Sequence, residues 1–102
     1  MTEKCHLFFE TLGTGLKIRI ITTLKEKALS VNELSKQLGQ ERSKCSHALK
    51  SLWKCGFVTV KNKGRERIYS LNTDTMIPLL DIVEKHIQKY CLVCKKERRM
   101  KK

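Results

Sequence analysis

The apolar residues change their period at Gly56, and that change constrains the fold more than any other feature of the chain. Before Gly56 they recur at three- and four-residue steps, the period of a helix. After it, Phe57-Val58-Thr59-Val60-Lys61 and Arg67-Ile68-Tyr69-Ser70-Leu71 read as two strands. Asn62-Lys63-Gly64 between them supplies the turn chemistry of a β-hairpin. Helical spacing then returns through Met76, Leu79, Leu80, Val83, His86, Ile87 and Tyr90, with Thr73 as the predicted cap and Pro78 tolerated in the first turns.

Four helices are predicted ahead of the hairpin. Leu7, Phe8, Phe9 and Leu12 mark a short one that stops at Gly13. Thr14 caps the next, which carries Leu16, Ile20, Ile21 and Leu24 on one face. After a brief extended link from Ala28 to Val31, Ser30 and Glu33 have the spacing of a capping box. They open a third helix faced by Val31, Leu34 and Leu38, which Gly39 ends. A short polar turn leads into a fourth helix, from about Arg42 to Cys55, whose inward stripe is Cys45, Ala48, Leu49 and Leu52. Two such helices joined by a short Gly-containing turn are a helix-turn-helix. The predicted fold is therefore mainly α: a winged helix-turn-helix with a two-stranded β-hairpin wing and a long C-terminal helix. Residues 1–94 form one domain, and Lys95 to Lys102 a solvated basic tail.

The partner class follows from charge. Lys and Arg number 22 against 10 Asp and Glu, a formal net charge of +12 on 102 residues. A field of that size attracts polyanions, nucleic acid first and an anionic membrane surface second. No run approaches the length of a transmembrane helix, and the start of the chain lacks the layout of a signal peptide. The odd count of five Cys cannot pair completely within one chain, which fits a reducing, cytoplasmic setting. No Ser-His-Asp grouping, paired-carboxylate site or phosphate-cradling Gly loop is present in these spacings, so the expected protein is not an enzyme. Gly13-Thr14-Gly15 is explained by a helix boundary.

From Leu7 to about Leu80 the chain resembles the ArsR-type winged-helix repressors. The resemblance is carried by Leu12 to Ile21, by Leu29-Ser30-Val31-Asn32-Glu33-Leu34, and by Ser43-Lys44-Cys45-Ser46-His47-Ala48-Leu49-Lys50-Ser51-Leu52. Cys55-Gly56-Phe57-Val58 and the returning strand from Arg65 to Leu71 complete it. Gly15 and Ala48 depart from the family's Pro and His. Val31 to Leu38 holds no Cys, and Asp81 with His86 does not reproduce the family's Asp and His pairs. The resemblance thus implies the fold and DNA binding, and it does not imply a classical metal sensor.

A helix in the major groove reads base edges from its N-terminal half and holds phosphates beside them. Arg42, Ser43, Lys44, Ser46, His47 and Lys50 lie off the inward stripe and offer those groups, with Gln40 in the turn. Arg42 and Lys44 suit guanine O6 and N7. In the wing, Lys61, Lys63, Arg65 and Arg67 surround Gly64, as a hairpin lying along a minor groove requires.

The last helix, with Met76, Leu79, Leu80, Val83, Ile87 and Tyr90, carries more apolar surface than one small core covers. Pairing with the last or first helix of a second copy would bury it, so a homodimer on a palindromic operator is expected. Cys45 and Cys55 are expected to be buried apolar residues. Cys91 and Cys94 form a Cys-x-x-Cys, half of a zinc site or a redox pair, which Cys5 and His6 would complete if the two ends meet. No cofactor is required by this reading; zinc at Cys91 and Cys94, and a metal- or redox-responsive regulator, are the open alternatives to inert thiols. Two other functions compete with a repressor: an architectural nucleic-acid-binding protein without sequence preference, and a winged-helix module for protein interaction.

Overall fold

The computed structural model describes residues 2–93; among these, nothing is described of the side chains of Thr2, Lys4 and Cys5. The chain divides into two compact units, one ending at Asn72 and the other starting at Thr73. The first contains helices α1 (Thr2–Leu12), α2 (Gly15–Glu26), α3 (Val31–Leu38) and α4 (Arg42–Lys54), with strands β1 (Leu29–Ser30), β2 (Val58–Lys63) and β3 (Glu66–Leu71). The second contains helix α5 (Met76–Tyr90).

The helix boundaries follow from local chemistry. Thr14 accepts the Lys17 N–H at the start of α2. At the start of α3 the capping box is complete: Ser30 Oγ accepts the Glu33 N–H at 3.2 Å, and Glu33 Oε1 accepts the Ser30 N–H at 2.9 Å. Helices α3 and α4 end alike. Gly39 and Gly56 adopt φ of 65° and 80°, a left-handed conformation that costs glycine nothing. In each case the next residue's N–H reaches five residues back, Gln40 to the Ser35 carbonyl and Phe57 to the Leu52 carbonyl. That is the Schellman closure, and it turns the chain sharply at both helix ends.

Three departures from the sequence reading stand out. The sheet has three strands in the order β1-β3-β2, because Leu29 and Ser30 pair antiparallel with Tyr69 and Ile68. A two-residue strand is too short to show alternation, so its strand character comes only from its partner. The hairpin turn is Gly64-Arg65 rather than Asn62-Lys63-Gly64, since β2 stays paired up to Lys63, opposite Glu66. The N-cap of α5 is Thr75 rather than Thr73, and its side chain makes no capping bond. Pro78 lies in the first turn of α5, where its missing N–H leaves no helical bond unmade.

The core of the first unit joins the inner faces of its helices to the sheet. Ile20, Ile21, Leu34, Leu49, Leu52 and Phe57 are its fully buried large side chains, and Leu29, Val58 and Leu71 extend it across the strands. Phe8 stacks edge-on against Phe57, ring centroids 4.8 Å apart, and so ties α1 to the start of the sheet. Cys45 is buried as expected, and burial pushes its thiol above the ordinary range while the Arg19 guanidinium opposes that shift. It acts as a small apolar filler. Cys55 is exposed instead of buried, with Sγ 3.7 Å from Thr11 Oγ1. Its position just before Gly56 falls past the last inward turn of α4.

Candidate nucleic-acid interface

The stripe Cys45, Ala48, Leu49 and Leu52 anchors α4 and fixes what its other side presents. Arg42, Ser43, Lys44, Ser46, His47 and Lys50 are all exposed, and Gln40 in the preceding turn is half-buried. None of the basic residues among them takes part in an ion pair among the described residues, whereas on α1 His6 Nε2 lies 2.9 Å from Glu10 Oε2. The N-terminal half of α4 thus presents two cations, Arg42 and Lys44, and two hydroxyls, Ser43 and Ser46, with neither cation in an ion pair among the described residues.

The register of the hairpin divides its own cations between two faces. Val60 opposes Tyr69 and Asn62 opposes Arg67, while Lys61 opposes Ile68 and Lys63 opposes Glu66. Because side chains alternate along a strand, these pairs fall on opposite sides of the wing. One face, with Val60, Asn62, Arg67 and Tyr69, lines a groove whose other wall is Ser46, Lys50 and Trp53 of α4. The other face, with Lys63, Glu66 and Ile68, lines a second groove toward Ser30, Glu33 and Lys36 of the α3 side. Arg65 occupies the turn. All four wing cations predicted from the sequence are exposed, and Arg67 alone is brought together with Ser46 and Lys50.

Trp53, Asn62 and Tyr69 were missed by the sequence reading. The available signal was Trp53 itself, a large apolar residue seven positions after Ser46 and off the inward stripe of α4. It is half exposed. On the α3 side, Glu33 is held below the ordinary carboxylate range, first by its bonds with Ser30 and then by the positive charges of Lys27 and Lys63.

The suggested metal ligands are only partly described. Cys94 lies outside the described residues, as does the tail from Lys95 to Lys102, and the side chain of Cys5 is not described. His6 is exposed and paired with Glu10. Cys91 is half-buried at the end of α5, where its N–H bonds to the Ile87 carbonyl. Among the described residues no group of three or more His, Cys, Asp or Glu is placed to hold a metal ion. Nor is any helix there long and apolar enough to cross a membrane.

Tandem helices joined by a tight turn, followed by a hairpin beside the second of them, define a winged helix-turn-helix fold. Residues 21–73 match the family model described as the sugar-specific transcriptional regulator TrmB. The chain belongs to that family of helix-turn-helix transcriptional regulators, and the ArsR-type resemblance lies within the same fold. It is 35% identical over 72 residues to the HTH-type transcriptional regulator NmtR of Mycobacterium tuberculosis, covering 71% of this chain and 60% of that protein. It is 37% identical over 79 residues to the HTH-type regulator Rv0081 of the same organism, covering 76% of this chain and 69% of that one. The crystal structure of Rv0081 superposes with a TM-score of 0.78 over 86% of this chain and 88% of that chain, at 31% identity. A solution structure of a homodimeric winged helix-turn-helix DNA-binding domain, Mb0332 of Mycobacterium bovis, shares the fold at a TM-score of 0.79 and 17% identity. It covers 87% of this chain and 82% of that one.

Proposed function

We propose that this protein is a repressor that binds a palindromic DNA operator as a homodimer, with α4 in the major groove and the hairpin along the neighbouring minor groove. The observation that carries the reading is the exposed, unneutralised face of α4, set on a helix whose opposite stripe is fully committed to the core. Arg42 and Lys44 stand where a recognition helix meets base edges, and Ser43, Ser46 and His47 beside them donate to bases or phosphates. Gln40 and Lys50 flank this face. Lys61, Lys63 and Arg65 hold the backbone on either side of the wing, and Arg67 does so from the groove facing α4.

Dimerisation is supported by α5. Ile82, Val83 and Tyr90 are 64%, 42% and 70% exposed, and the His86 and Tyr90 rings meet at a tilt of 47° with centroids 5.4 Å apart. Ile82, His86 and Tyr90 recur at four-residue steps, so they form one apolar and aromatic stripe on a helix of 15 residues. A second copy of this chain would bury that stripe, as the description of Mb0332 as homodimeric illustrates for this fold. Two α4 helices would then address half-sites about one helical turn apart. Zinc or redox control through Cys91 and Cys94, with Cys5 and His6, remains a part of this proposal that metal titration of the purified dimer addresses: a stoichiometric zinc that alters duplex affinity supports it, and unchanged affinity removes it.

The test is a salt titration of duplex binding, using the DNA upstream of the gene for this protein and a scrambled duplex of equal composition. A sequence-specific regulator prefers the native segment by about a thousandfold or more, and both affinities fall steeply with salt. Equal affinity for both duplexes would instead establish an architectural role, and no binding would leave the winged helix as a protein-interaction module.

A further inference from the structure

The groove between α4 and the hairpin has a volume of about 510 Å³, within the range of roughly 300–1,000 Å³ that small-molecule sites occupy. Its construction is graded. One wall is the α4 stripe Ser46, Lys50 and Trp53, at steps of four and three residues, and the other is the cross-strand pairs Asn62·Arg67 and Val60·Tyr69. Along the hairpin wall the tip-side pair is amide and guanidinium and the base-side pair is isopropyl and phenol. The α4 wall offers hydroxyl, ammonium and indole in chain order. Two cations and no carboxylate line it.

This asymmetry selects a ligand class. A planar apolar body can lie against the half-exposed Trp53 indole and the Val60 side chain, with the buried Tyr69 ring forming the floor, while an anionic head meets Lys50 and Arg67, with Ser46 and Asn62 able to donate to its oxygens. A neutral sugar would leave both cations unpaired, and a metal cation would meet only positive charge. We propose that the groove binds a small aromatic carboxylate, and that the bound ligand excludes duplex DNA because its carboxylate takes the Lys50 and Arg67 donors that would otherwise hold a phosphate. The exclusion rests on the reading of α4 and the hairpin as the duplex-facing surface. Ligand binding itself does not depend on that reading.

The experiment uses 2-naphthoate as the probe and 2-naphthylmethanol as its uncharged counterpart, titrated into the full chain by calorimetry. The indole N–H signal of Trp53, the one Trp in the chain, locates the site by nitrogen-correlated NMR. Naphthoate should bind at least about tenfold more tightly than the alcohol, the scale of a charge-assisted hydrogen bond, and should shift the Trp53 signal. Arg67→Gln and Lys50→Gln, both exposed positions, should each reduce that preference, and naphthoate should displace labelled upstream duplex from the wild-type protein. Equal binding of acid and alcohol, no binding of either, or an unshifted Trp53 signal overturns the site, even where duplex binding is intact. Naphthoate binding that leaves duplex affinity unchanged overturns the exclusion. A protein that binds naphthoate in the groove but no duplex at all overturns the DNA reading instead.

Discussion

The Arg19 guanidinium, on α2, donates from Nη2 to the Leu38 carbonyl of α3 at 3.0 Å. The last carbonyls of a helix have no partner within it, and a cation there also complements the negative end of the helix. This bond therefore fixes the end of α3, one residue before the chain turns at Gly39 into the approach to α4. Arg19→Met keeps an unbranched apolar stem and removes the donor. It should lower unfolding stability by about 1 kcal/mol, measured by urea denaturation. Unchanged stability would show that water replaces the guanidinium at no cost.

The capping box at Ser30 and Glu33 makes a pH-dependent prediction. Ser30→Ala removes a buried cap and should cost about 1 kcal/mol. Glu33 is held below its ordinary value of 4.5 in the folded protein, chiefly by its bonds with Ser30. A carboxylate depressed in this way stabilises the fold fully above its unfolded value and loses that contribution as pH falls through its folded value. Wild type should thus exceed Glu33→Gln in stability at neutral pH, and the gap should close below 4.5. A gap that is constant across the acid range would mean that the charge contributes nothing.

Leu49 and Trp53 lie four residues apart on α4 and should differ widely in their response to truncation. Leu49 is completely buried, and Leu49→Ala should cost about 2–5 kcal/mol through lost burial and the cavity left behind. Trp53 is 50% exposed along the groove, so Trp53→Ala should cost about 1 kcal/mol or less despite its larger volume. Thermal unfolding of both variants checks the pair.

The stripe on α5 predicts the assembly. Ile82→Lys combined with Tyr90→Lys places charges in the proposed contact, and sedimentation should show a monomer where the wild type is a dimer. Duplex affinity should then fall by about a hundredfold or more, since each half-site is bound separately. A double variant that remains dimeric would move the interface away from α5.

What the sequence revealed of this fold is what depends on near neighbours. The Ser30–Glu33 box, the stops at Gly39 and Gly56, and the buried stripe from Cys45 to Leu52 each involve residues within a few positions of one another, and each is present as read. The extended link at Leu29 and Ser30 was legible, but its place in the sheet was not, because its partners lie nearly forty positions away. The groove was hidden for a related reason. Which of Lys61, Lys63 and Arg67 faces α4 is decided by hairpin register, and with the turn at Gly64-Arg65 the paired Asn62·Arg67 and Val60·Tyr69 fall on the α4 side. The basic character of the wing could be read from composition, whereas its division into two faces could not. Cys55 shows the same limit from the other side, since the residue count places it near a helix end but does not say that it faces solvent.

In the proposed complex α4 reads sequence while the hairpin holds the backbone, and one comparison separates those roles. Duplex affinity should be measured across a salt series for wild type, for Arg42→Ala with Lys44→Ala, and for Lys63→Ala with Arg65→Ala, on native and scrambled DNA. Loss of the α4 pair should collapse the preference for the native duplex. Loss of the hairpin pair should weaken binding to both duplexes alike and reduce the salt slope by about two. If instead the hairpin pair controls the preference, or if neither pair changes affinity, the assignment of α4 as the reading helix is wrong.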